Sequence, residues 1–180
     1  MNGSTRPGSA KASFEEVWQW LDEVPDPEIP VISLVDLGII RDLRYDEDTL
    51  VVVVTPTYSG CPATSVINQD IEQALRQHGV SELKLERRIS PPWTTAWISA
   101  KGREKLRSYG IAPPVEDQGN DGRGPRRIWL RTETISRPEV PCPRCGSIRT
   151  ERVSQFGSTP CKANYRCLDC LEPFDHFKCI

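Results

Sequence analysis

No apolar run in this chain approaches the ~18 to 20 residues that cross a bilayer, which excludes a membrane-spanning helix. The opening residues, MNGSTRPGSAKASF, lack the apolar stretch of a secretory signal, so the expected location is the cytoplasm, with no membrane partner. An excess of charge of one sign is missing as well: 23 Lys and Arg face 25 Asp and Glu, a net charge of -2. That balance excludes a disordered polyelectrolyte and a bulk nucleic-acid binder. At 180 residues there is no room for two large domains, and no internal repeat is present. With 37% hydrophobic and 27% charged residues, the composition is that of a soluble globular protein of one ordinary domain and something small.

Residues 1–12 are small and polar without periodicity and read as disordered. Ser13 and Glu16 form an S-x-x-E capping box, and Phe14, Val17, Trp18 and Leu21 follow at helical spacing, which predicts a helix over 14–23 that stops before Pro25. VISLVDLGII with Leu43 and Tyr45, then the β-branched run from Leu50 to Thr55, predict two strands joined near Asp46 to Asp48. The Gly60-Cys61-Pro62 step opens a second helix with an apolar face of Val66, Ile67, Ile71, Ala74 and Leu75, ended by Gly79. A third strand around Leu83, Leu85 and Arg87, an irregular PPWTTAW loop, and a helix from Ser99 to Tyr109 closed by Gly110 complete the first domain, 13–114. The expected fold is α/β, of α+β type: a small α-β-β-α-β-α sandwich with helices on a three-stranded sheet. Residues 115–127, VEDQGNDGRGPRR, hold three glycines and a single apolar residue and read as a linker. Beyond it, residues 128–180 form a second module, with a strand expected from Ile128 to Ile135.

Six of the seven cysteines fall in the last 39 residues. Cys142-x-x-Cys145-Gly and Cys167-x-x-Cys170 are two knuckles separated by 21 residues, close to the spacing of a four-cysteine zinc ribbon. Two residues between cysteines let both sulfurs face one ion, and Gly146 permits the tight turn. A segment this short cannot build an adequate apolar core, so a structural zinc would serve as its core. Four thiolates also suit an iron-sulfur cluster, and spacing alone does not choose. Cys161 and Cys179 are additional thiols, open to reading as buried small hydrophobes, redox-active groups or ligands of a transient metal. His176, three positions before Cys179, reads as a packing or hydrogen-bonding residue.

Cys61 precedes the proline that would start a helix, where the helix dipole and free amides favour a thiolate. It could be a nucleophile, a metal ligand or a cap residue. The nucleophile reading needs a base, and the nearest histidine, His78, lies 17 residues on, roughly 25 Å away at 1.5 Å per residue. Receiving iron or a cluster needs no base, only access and a partner thiolate. Asp26 and Glu28 pair two carboxylates in the rigid D-P-E-I-P setting, which helix termination and turn formation equally explain. Residues 14–60 carry eleven acids against two bases. This acidic lobe would repel phosphate, and only Trp129 interleaves the arginines 123, 126, 127, 131 and 137, so no nucleic-acid partner is expected.

DPEIPVISLVDLGII at 26–40, TPTYSGCPA at 55–63, and PPWTTAWIS with GREKL at 91–106 resemble the small domain of iron-sulfur assembly factors. Joined to CPRCGS, FGSTPCKANYRC and EPFDHFKC, the whole resembles the accessory proteins of the multicomponent phenylacetyl-CoA ring epoxidase of aerobic phenylacetate degradation. The resemblance implies a maturation factor without catalytic activity of its own, acting on the metal centres of that system. The expected partner is its iron-sulfur reductase, and a stoichiometric structural subunit of the oxygenase is the alternative. By position, Cys61 would be the functional cysteine, Asp26 and Glu28 the acidic motif beside it, and Cys142, Cys145, Cys167 and Cys170 the zinc ligands. A transient iron-sulfur cluster or iron is the further cofactor implied. Leu171 stands where a second knuckle often has glycine.

Overall fold

The structure, a computed structural model, describes residues 11–115 and 139–178. The 115–127 linker apart from Val115, the strand expected from Ile128 to Ile135, the arginines at 123–137, and Cys179 lie outside the described residues. The chain divides after Trp93 into two compact units.

The first unit begins with α1 (Phe14–Asp22). Its capping box forms: the Ser13 hydroxyl accepts from the Glu16 amide at 3.2 Å, and the Glu16 carboxylate accepts from the Ser13 amide at 2.8 Å. Strands β1 (Ile40–Asp46) and β2 (Thr49–Val54) form an antiparallel pair, and β3 (Leu83–Arg87) runs parallel to β2. A parallel return needs a crossover, which α2 (Thr64–Gln77) supplies. Leu50 through Val54 are buried without a break, as a central strand covered on both faces requires. Val17 and Leu21 of α1 and Ile67, Ile71 and Leu75 of α2 complete the buried set.

Two details differ from the sequence pattern. Most of VISLVDLGII is not strand but a run of turns, with β1 starting only at Ile40. Its apolar side chains Ile32, Leu34, Leu37 and Ile39 are buried, yet Gly38 turns the backbone at φ +73° and breaks the extension. The second helix begins at Thr64 rather than at Pro62, and Val66 is exposed instead of joining its buried face.

The second unit holds α3 (Ala100–Tyr109), capped by Ser99, whose hydroxyl accepts from the Gly102 amide, and ended by Gly110 at φ +94°. Next comes the short strand β4 (Ile111–Ala112), then β5 (Thr150–Ser154), β6 (Lys162–Cys167) and β7 (Pro173–Phe177). They form one sheet in the order β4-β7-β6-β5, with β4 parallel to β7 and the other pairs antiparallel. The strand that follows α3 thus belongs to the cysteine-bearing sheet. One apolar cluster gathers Ala112, Val140, Cys142, Cys167 and Phe174, with Val115 and Tyr165 packed against it, and Ile111, Cys161, Ala163 and Phe177 are buried in the same unit. Among the described residues, no helix is long and apolar enough to cross a membrane.

Candidate functional site

The second unit brings the sulfurs of Cys142, Cys145, Cys167 and Cys170 within 4.8 Å of one another. Each knuckle is shaped by its backbone. In the first, the Gly146 amide donates to the Cys142 carbonyl at 2.9 Å, with Gly146 at φ +76°. In the second, the Cys170 amide approaches the Cys167 sulfur at 3.5 Å, and Leu171 itself takes the left-handed conformation, φ +63°. Leucine there costs about 1 kcal/mol that glycine would not. Asp169, inside the second knuckle, accepts from the Ser147 hydroxyl and from the Arg149 guanidinium at 2.6 Å, which ties the knuckles together. Sequence reasoning missed this clamp, because Asp169 reads there only as a spacer.

The distances test which metal group fits. A single ion with thiolates at ~2.3 Å in a tetrahedron sets sulfurs about 3.8 Å apart. Cys142 to Cys170 is 3.7 Å and Cys145 to Cys167 is 3.6 Å. The four residues therefore fit one tetrahedral cation. Hydrogen bonds from the Cys170 amide and then the Asp169 amide hold the Cys167 thiol down to about 6. The Glu172 amide acts the same way on Cys170, but burial and the neighbouring sulfurs outweigh it and push that thiol up to about 12. Without a cation the four sulfurs share protons, and a bound cation takes the protons' place.

Cys161 is buried outside this group, its sulfur 3.0 Å from the Thr159 hydroxyl. His176 is buried too: its Nδ1 lies 3.2 Å from the Ala112 carbonyl, and its ring meets the Tyr165 edge. Desolvation holds its pKa below the usual histidine value. It fastens β4 to β7.

In the first unit the Thr55-to-Ala63 loop, the D-L-G turn and P-P-W meet at one end of the sheet. The Thr55 amide donates to the Ile39 carbonyl at 2.9 Å, which places the Thr55-to-Ala63 loop beside the D-L-G turn. The Trp93 indole of P-P-W donates to the Leu37 carbonyl of that turn at 3.0 Å. Cys61 sits half-buried in the loop, its carbonyl accepting from the Thr64 amide and hydroxyl as α2 begins. His78 is far off at the C-terminal cap of α2, stacked on Trp20 with centroids 4.3 Å apart. Cys61 and His78 therefore form no dyad. The Asp26 carboxylate accepts from the Glu28 and Ile29 amides at 2.9 and 2.8 Å, a buried turn cap, while Glu28 is half-buried. Asp26→Ala is expected to lower stability by about 2 kcal/mol in a denaturant titration, and Asp26→Asn, which keeps an acceptor, by less than half of that.

Comparison with known proteins separates the same two parts. Residues 15–82 match the iron-sulfur cluster assembly protein family, and residues 130–178 match the PaaD zinc beta ribbon domain. A protein of Escherichia coli (strain K12) named as a putative 1,2-phenylacetyl-CoA epoxidase subunit is 42% identical over 95% of this chain and 96% of its own. The chain belongs to the PaaD family of phenylacetyl-CoA epoxidase subunits. The family resemblance extends further through its first part. The Fe-S protein maturation auxiliary factor YitW of Bacillus subtilis (strain 168) is 34% identical over 55% of this chain and 90% of its own. A maturation auxiliary factor of Porphyromonas gingivalis (strain ATCC BAA-308 / W83) is 32% identical over 51% and 89%. Each of these two matches covers about half of this chain.

Proposed function

We propose that this protein is a cytoplasmic accessory factor of aerobic phenylacetate degradation. It helps mature the iron-sulfur centre of the multicomponent phenylacetyl-CoA epoxidase, acting on the reductase, and has no catalytic activity of its own. Cys61 is the thiol that transiently receives iron or a cluster, with Asp26 and Glu28 shaping the neighbouring turn. Cys142, Cys145, Cys167 and Cys170 hold a structural zinc. In domain terms, an assembly-type region is followed by a linker and a ribbon module.

The observation that carries this reading is the division of the cysteines into two kinds. Four sulfurs close on one another at distances suited to a single ion and too tight to enclose several irons. Cys61 stands apart in a half-exposed loop, with His78 at the opposite end of α2, an arrangement suited to ligand exchange rather than to acid-base chemistry. Zinc in the ribbon supplies cross-linking only: it has no redox chemistry, and four thiolates leave it no open position.

Cys61→Ser tests the reading. The variant is expected to keep the fold and a single zinc per chain, while reductase purified from cells carrying it loses iron and labile sulfide several-fold. Full occupancy of the reductase would overturn the proposal. The name of the Escherichia coli relative favours a second reading, a stoichiometric subunit of the oxygenase. Co-elution with the oxygenase in a fixed ratio, unchanged by Cys61→Ser, would select it.

A further inference from the structure

Among the described residues, β3 has a strand on one side only, since the order of the first sheet is β1-β2-β3. Its bonds to β2 fix which backbone groups are taken. The Leu50 amide donates to the Glu82 carbonyl and the Arg88 amide to the Val54 carbonyl, each at 2.9 Å, with Val52 opposite Leu85 in parallel register. In a parallel ladder alternate residues bond to the neighbour, so Lys84 and Glu86 turn their amides and carbonyls to β2, and Leu83, Leu85 and Arg87 turn theirs to the outer edge. The apolar rows also end unfinished there. Along Leu43, Val52 and Leu85 the first two are buried and Leu85 is half-exposed, and Leu83 is half-exposed beside the buried Leu50.

An open edge accepts another strand, and a strand pairs with its own copy when a two-fold axis sets compatible side chains opposite one another. Because outward-turned residues must meet outward-turned residues, an antiparallel two-fold sets one residue against itself. In β3 the middle residue is Leu85, which is uncharged and has its backbone turned outward. Pairing about it puts Leu85 against Leu85, Leu83 against Arg87 and, on the opposite face, each Lys84 against the Glu86 of the other copy. These charge pairs fall at the positions without backbone bonds, where side chains come closest. Lys84 is exposed, and its ammonium has no partner among the described residues. Glu86 holds Arg44 through one oxygen, and its other oxygen lies 3.6 Å from Arg88. The other edges lack this match. A register shift between Ile40 and Asp42 breaks β1, β4 has only two residues, and the middle residue of β5 is Arg152, which would meet its own charge.

We propose that two copies of this chain join along β3, antiparallel about Leu85, so that the three-stranded sheet of one continues into that of the other. The outward backbone groups bond across the axis, the half-exposed leucines cover one another, and Lys84 joins the charge network of the second copy's Glu86. Five residues a side make a small interface, so the dimer is a weak one. The Arg87 guanidinium donates to the Ser59 carbonyl in the Cys61 loop at 2.6 Å. Since Arg87 of one copy faces Leu83 of the other, the two Cys61 loops fall at opposite ends of the joined strands, and each copy presents its own thiol. The inference stands independently of the reading of Cys61.

The test is sedimentation equilibrium of the full zinc-loaded chain under reducing conditions, from about 1 μM to about 1 mM, with amide exchange read by NMR at both ends of that range. The unaltered chain is expected to pass from monomer to dimer. As it does, the amides of Leu83, Leu85 and Arg87 should gain protection several-fold, while those of Lys84 and Glu86, bonded to β2 in either state, keep theirs. Lys84→Glu, which sets like charges opposite one another on both sides of the axis, is expected to weaken the dimer about tenfold or more. Glu86→Lys should do the same, and a mixture of the two variants should associate again, because each supplies the charge the other lacks. Melting temperature confirms that the variants fold; should Glu86→Lys fail to, Lys84→Glu alone decides. A chain that stays monomeric throughout, or a dimer indifferent to Lys84→Glu that leaves the three amides unprotected, would overturn the proposal. Protection of those amides only when another protein is added would overturn it too, and would give the edge to a strand of that protein.

Discussion

Stripping the metal from the second unit, by a strong chelator or by Cys167→Ala, is expected to unfold residues 139–178 while the three-stranded sheet of the first unit survives. The reason is in the core of the ribbon. Two members of its buried cluster, Cys142 and Cys167, are themselves proposed ligands, and the apolar side chains buried with them or elsewhere in the ribbon are few: Ala112, Val140, Cys161, Ala163, Phe174 and Phe177. Ordering some 40 residues costs on the order of 60 kcal/mol of conformational entropy, which so few apolar side chains cannot offset. A four-thiolate zinc contributes about 10 to 16 kcal/mol of folding free energy near neutral pH. Hydrogen exchange read by mass spectrometry, peptide by peptide, checks this: amides of β5, β6 and β7 should lose protection and those of β2 should keep it. Undiminished protection in the ribbon after complete metal removal would show that its core suffices alone. Acid should act in the same direction. The Cys167 thiol, held down to about 6 against an ordinary value of 9.0, stabilises the fold above its unfolded value, and that stabilisation fades as pH falls through about 6. Protons also compete with the cation for the four thiolates, so loss of metal and of ribbon structure should coincide on acidification.

Trp93→Ala is expected to destabilise the first unit by about 3 to 5 kcal/mol, and Trp93→Phe by about 1 to 3 kcal/mol. The indole is 3% exposed and donates to the Leu37 carbonyl, so truncation both empties a packed space and removes the donor from a buried acceptor. Phenylalanine fills most of the space and leaves only the acceptor unmet. The consequence for function is positional. Leu37 precedes Gly38 in the turn whose next residue, Ile39, receives the Thr55 amide. Freeing Trp93 should loosen the turn against which the Cys61 loop is set. Denaturant melts of both variants measure the energies, and the rate of Cys61 alkylation measures the loop. An alkylation rate in Trp93→Phe equal to that of the unaltered chain would confine the indole to stability.

Where the sequence was legible, the determining interactions are short in range. The capping box of Ser13 with Glu16, the Ser99 cap, and the left-handed Gly79 and Gly110 at helix ends each act within a few residues, so α1, α2 and α3 were readable from the chain. The strand β2 was readable because five consecutive buried apolar residues leave little alternative in a short segment. The same apolar signal misled over VISLVDLGII. Burial there is achieved by turns whose backbone groups are satisfied across the chain, as in Leu34 donating to Val24 and Asp26 to Ile32, and hydropathy does not distinguish the two solutions. Val66 was placed on the buried face of α2, but it lies one position off the row of Ile67, Ile71 and Leu75 that faces the core and is exposed.

The sequence alone determined which segments become helices, that two cysteine pairs occur at knuckle spacing, and that Cys61 has no histidine nearby along the chain, since all of these depend on neighbours in sequence. Tertiary structure alone decided three other matters. It set the sulfur separations of 3.6 and 3.7 Å, because they arise from the pairing of β5, β6 and β7 and the Asp169 clamp rather than from either knuckle. It joined β4 to β7, an association of residues more than 60 positions apart that no local pattern encodes. And it set the Arg87 guanidinium against the Ser59 carbonyl of the Cys61 loop, because a parallel crossover returns the end of β3 to the end of β2.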